Sequence, residues 1–94
     1  MAENLDIVYL LGYSENSTRY IERILPLLQA QKNKGSAIGI VFIQDGVLNT
    51  TSKGKIRDEL SKLFSLNLDS YVMSPDLEAR GIKTEDLQNK VKHI

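Results

Sequence analysis

In the stretch AIGIVFIQDGV, residues 37–47, a nearly unbroken apolar run stops abruptly at Gln44-Asp45-Gly46, followed by Val47. A carboxamide and a carboxylate next to a glycine can bind a ligand or a partner. The same residues also make a tight turn, with Asp45 bonding nearby backbone and Gly46 taking positive φ. Both uses are compatible, and turn geometry is the simpler. Ser14, Asn16 and Ser17 offer a second set of polar groups. They could hold a small anion at a helix N-terminus, but ordinary N-capping accounts for them equally. Gly12 stands alone, so no glycine-rich phosphate fingerprint accompanies them. Asp76, Glu78 and Arg80 form a third cluster, readable as an interaction motif or as helix-end electrostatics.

Other combinations fail on chemistry. Gly54-Lys55 lacks both the glycine five residues before it and the Ser or Thr after it that a P-loop needs; position 49 is Asn and position 56 is Ile. Lys53, Lys55 and Arg57 are a basic cluster that meets Asp58 and Glu59 at once. It reads as a solvated face, with contact to a phosphate or an acidic partner as the alternative. His93 is the single histidine and has neither nucleophile nor ligand set beside it, so it reads as a titrating surface group. Tyr9, Tyr13, Tyr20 and Tyr71 read as core or interface packing. With no cysteine, the chain forms no disulfide or thiolate metal site and carries no persulfide. No catalytic residue, metal or cofactor is expected.

The elements that must position these groups follow from periodicity. Residues 5–11, LDIVYLL, read as a buried strand. A helix follows to about Asn33, with Ile21, Ile24, Leu25 and Leu28 as its apolar stripe. Pro26 lies inside it, and Lys34-Gly35-Ser36 closes it. The central run from Ile38 to Ile43 has the pattern of a strand covered on both faces. Residues 48–54 read as polar loop, and a second helix starts near Thr51 or Ser52. Its stripe is Ile56, Leu60, Leu63 and Phe64, with an Asp58–Lys62 pair on the wet side and a break at Asn67. Residues 69–73 form a third strand. Ser74 as N-cap, with Pro75 and Asp76, starts a short helix that Gly81 ends. Thr84 caps a turn around Leu87, and residues 91–94 form a fourth strand.

The order β-α-β-α-β-α-β predicts one α/β domain over residues 1–94, three-layer α/β/α, with a mostly parallel four-stranded sheet. The loops at the carboxyl ends of its strands would then build the site. The 94 residues suit a single domain with a modest core, so association with other chains is expected. Twelve basic and twelve acidic side chains cancel, which argues against strong direct nucleic-acid binding. The first apolar run is too short to span a membrane and lacks a basic region before it, which predicts a cytoplasmic location.

IQDGVL at 43–48, then a strand, DLEARGI at 76–82 and a terminal VKHI resemble the DsrH/TusB family of small sulfur-relay subunits. The pattern covers roughly residues 38–94. The resemblance implies a DsrE/DsrF/DsrH-like fold and a place beside DsrE/TusD-like and DsrF/TusC-like partners. It further implies complexes that take persulfide sulfur from a TusA-like carrier, toward tRNA wobble 2-thiouridine or within sulfur oxidation. Some family members carry a cysteine; this chain has none, so the resemblance implies a non-catalytic, structural or partner-binding subunit. The family usually continues with an Asp-Tyr-rich turn and a further helix, whereas this sequence ends at Ile94. Either the chain is shortened, or one sheet face is left for another protein, and a homo- or hetero-oligomer is expected to cover it. The alternative is a stand-alone homo-oligomeric DsrE-like domain holding a small anion at Ser14, Asn16, Ser17 and Gln44, Asp45, Gly46.

Overall fold

The computed structural model describes residues 5–13, 20–51, 58–88 and 91–94, the side chains at 58 and 59 excepted. Four short strands, β1 (Ile7–Leu11), β2 (Ile38–Phe42), β3 (Asp69–Val72) and β4 (Val91–His93), form one sheet in the order β1-β2-β3-β4. Every pair is parallel. The helices are α1 (Tyr20–Asn33), α2 (Asp58–Ser65) and α3 (Ser74–Ala79), with 3₁₀ segments at Gln44–Thr50 and Thr84–Asp86. The parallel α/β architecture is the one the sequence predicts.

Register divides the sheet into two faces, since side chains alternate along each strand. Leu11, Phe42 and Val72 share one row, and Tyr9, Ile40, Ser70 and Val91 the next. On this face Ile21, Ile24 and Leu28 of α1, Leu60 and Leu63 of α2 and Leu77 of α3 join one core. A sheet that adds strands in one direction through right-handed crossovers brings its helices to the same side. The described residues therefore supply two of the three expected layers.

The opposite face carries Val8 and Gly39 in one row, and Leu10, Val41, Tyr71 and Lys92 in the next. Val41 and Tyr71 are buried, but Val8 is 43% and Leu10 63% exposed. The first strand is thus only half-buried, contrary to expectation, because β1 lies at the sheet edge. Central β2 is buried at all five positions.

Helix ends obey local chemistry. Gly35 (φ 88) and Gly81 (φ 67) occupy the left-handed position after α1 and α3. At each end a paired set of backbone bonds closes the helix, Ser36 N–H to the Gln31 carbonyl and Ile82 N–H to the Leu77 carbonyl among them. Asn67 (φ 57) is likewise left-handed after α2, as its break predicts. A Cβ at Gly81 would meet no neighbouring atom, so only the backbone conformation opposes a side chain there. Gly81→Ala should cost about 1 kcal/mol, read as a lower urea midpoint with unchanged slope.

Three boundaries differ from expectation. Ser74 begins α3, while the extended residue before it is Met73; Ser74 N–H binds the Ile94 carbonyl. Thr51 is extended and bridges Leu87, so α2 does not start there. Residues 48–50 continue the 3₁₀ segment in place of a polar loop, and Asn49 and Thr50 are buried. Ile56 and the Lys53, Lys55 and Arg57 cluster lie outside the described residues, as does the Asp58 side chain that the Asp58–Lys62 pair needs.

Candidate functional site at the carboxyl edge of the sheet

All four strands run toward the same edge, where the segments after β1, β2 and β3 meet. Leu11 C=O accepts the Ile43 N–H at 3.1 Å, carrying the β1–β2 ladder one residue past β2. The chain then enters the 3₁₀ segment through Gln44, whose φ of 49 is left-handed. Asp45-Gly46 was expected to form a tight turn with positive φ at Gly46, but the unusual backbone belongs to Gln44.

Gly46 is required for another reason. A Cβ there would lie 1.8 Å from the Leu11 carbonyl oxygen and 2.8 Å from its carbon. The segment crosses the end of β1 at backbone contact, a distance that only a hydrogen at Cα permits. Val47, fully buried, then anchors the segment in the core. Thr50 Oγ1 donates to the Val47 carbonyl at 2.7 Å, and Asn49 Nδ2 to the Tyr13 carbonyl at 3.0 Å. These bonds let polar residues sit inside.

Arg80, at the end of α3, reaches back to this segment. Its Nε and Nη2 lie 3.0 and 2.9 Å from Asp45 Oδ1. Its Nη1 donates to the Asp76 carbonyl at 3.1 Å and lies 3.7 Å from Asp76 Oδ1. Gln44, Asp45, Gly46 and Val47 are thereby joined to Asp76 and Arg80 in one unit. Sequence spacing gave no sign of this link across 35 positions. The Asp45 side chain is 66% exposed, so the pair orients the segment more than it stabilises the fold. Asp45→Asn and Arg80→Ala should each change stability by less than about 1 kcal/mol, measured as urea midpoints.

Ser14, Asn16 and Ser17 lie outside the described residues, so the anion-binding arrangement at that loop has no geometry here. His93 is exposed on β4. Tyr71 is buried and Tyr9 donates its hydroxyl to Gln31 Oε1 at 2.7 Å, as packing predicts. Tyr13 and Tyr20 are instead 67% and 40% exposed. Among the described residues, no three acidic or histidine side chains converge as a metal site would require.

Residues 14–94 match the family described as DsrH like protein. The chain belongs to the DsrH family. Membership places it among sulfur-relay components, and the expected resemblance is correct. The ychN protein from E. coli has a similar fold, with a TM-score of 0.72 at 19% identity over 96% of this chain and 84% of that one. So does MTH1491 from Methanobacterium thermoautotrophicum, a protein of unknown function, with a TM-score of 0.72 at 20% identity, covering 94% and 79%. No curated protein matches the chain. Among the described residues, no helix of this DsrH-family chain is long and apolar enough to cross a membrane.

Proposed function

We propose that this DsrH-family chain is a non-catalytic subunit of a cytoplasmic sulfur-relay complex that serves tRNA wobble 2-thiouridine synthesis or sulfur oxidation. Its role is positional: it holds DsrE/TusD-like and DsrF/TusC-like subunits whose cysteines accept sulfur from a TusA-like carrier. The observation that carries this reading is the unit Arg80 builds from Asp45 and Asp76, with the Asp45 carboxylate exposed, in a chain without cysteine. Sulfur transfer needs a thiolate to attack the terminal sulfur of a persulfide, releasing the donor cysteine as thiolate. This chain supplies neither group and acts through its partners.

Transfer from a persulfide-loaded TusA-like carrier to a DsrE-like cysteine tests the proposal, measured with and without the chain. Faster transfer with the chain present supports a positional role; an unchanged rate contradicts it.

The second reading, a stand-alone homo-oligomer binding a small anion, draws on exposed Val8 and Leu10, which a second copy would cover. The exposed Asp45 carboxylate works against the anion at this edge. Thermal stabilisation of the isolated chain by inorganic phosphate would favour this reading.

A further inference from the structure

The outward side of the 3₁₀ segment is a small mixed ridge. Gln44, Asp45 and Leu48 are exposed there, while Gly46, Val47, Asn49 and Thr50 are buried. In a 3₁₀ helix residues three apart eclipse, so Asp45 and Leu48 project along one line about 6 Å apart in rise. Leu48 is 43% exposed, and Tyr13, tied to the segment through Asn49, is 67% exposed.

The polar half of this ridge is held ready. Arg80 places two nitrogens on Asp45 Oδ1, and among the described residues Oδ2 has no hydrogen bond. The Gln44 side chain has none either, and its Oε1 lies over Gly12. Two carboxylates and one guanidinium leave a net negative charge, which repels phosphate and attracts a cation. A leucine one 3₁₀ turn from that carboxylate adds apolar surface that one small cation would leave wet.

We infer that this ridge docks a polypeptide segment presenting an arginine or lysine beside an apolar side chain. The cation meets Asp45 Oδ2, and the apolar neighbour covers Leu48. The inference rests on the relay reading and names the surface of this chain that meets the partner. Asp45 is oriented before binding, so little side-chain freedom remains to be lost on docking.

The test is titration of the full chain with its cysteine-bearing DsrE-like partner, using wild type, Asp45→Lys, Leu48→Asp and Glu85→Lys. Glu85 is an exposed acid on the other 3₁₀ segment, so its variant makes the same charge change outside the Asp45–Leu48 line. Melting curves confirm that each variant is folded. Asp45→Lys and Leu48→Asp should each weaken binding by about tenfold or more, and Glu85→Lys by less than about threefold. Raising the salt concentration should weaken wild type more than Asp45→Lys. Wild-type binding with all variants unchanged overturns the ridge and leaves the relay reading standing. Absence of wild-type binding overturns both.

Discussion

Gly46→Ala should be the most damaging single-methyl substitution at the edge of the sheet, costing about 3 kcal/mol or more. The added carbon would meet the Leu11 carbonyl oxygen at 1.8 Å, well inside any permissible contact. No side chain can turn aside to relieve the clash, because the atoms in the way are backbone. The carbonyl is fixed in turn by its bond from Ile43 N–H, so moving it opens the β1–β2 ladder. A domain of this size has roughly 5–15 kcal/mol of stability, so a large share would go. Urea unfolding followed by circular dichroism measures it. Gly39→Ala is the control: the atom it meets, Leu5 Cδ1 at 2.6 Å, is the end of a flexible side chain. That variant should remain folded with a much smaller loss.

Phe42→Ala should cost about 3–5 kcal/mol. Phe42 is fully buried on the helix-covered face, at the last position of the central strand. Its ring packs against Phe64 of α2, centroids 6.1 Å apart and planes tilted by 40°. Removing it empties the junction of α2 with the sheet and also loses an aromatic pair worth roughly 0.5–1.5 kcal/mol. The loss should appear as a fall in melting temperature of more than about 10 °C. Leu10→Ala, on the exposed face of β1, makes a smaller change in the isolated chain because most of that side chain is already in water.

What the sequence makes legible is what neighbouring residues decide. The β-branched run of β2, the Ile21, Ile24 and Leu28 stripe, the left-handed ends at Gly35, Asn67 and Gly81, and the succession of strands and helices along the chain all follow from local pattern. What it hides depends on residues far apart in the chain. Gly46 looks like a turn glycine until Leu11 is seen beneath it. Asn49 and Thr50 look like loop because they are polar; they are buried because backbone carbonyls accept their hydrogen bonds. Val8 and Leu10 look like core because they are apolar, yet the edge position of β1 leaves them exposed.

The candidate site shows the same division. The family resemblance put the QDGV and DLEAR stretches side by side as motifs, without a physical reason for their pairing. Arg80 supplies the reason, since one guanidinium spans Asp45 and Asp76 and sets the 3₁₀ segment against α3. Arg80 lies 35 positions from Asp45, so helix or strand periodicity offers no signal for that contact.

As a positional relay subunit, this chain should work by assembling with cysteine-bearing partners. Native mass of the chain, alone and then mixed with DsrE-like and DsrF-like proteins, tests it most directly. A defined mixed assembly that contains the chain is the expected result. A monomer or homo-oligomer whose mass is unchanged by those proteins would contradict it.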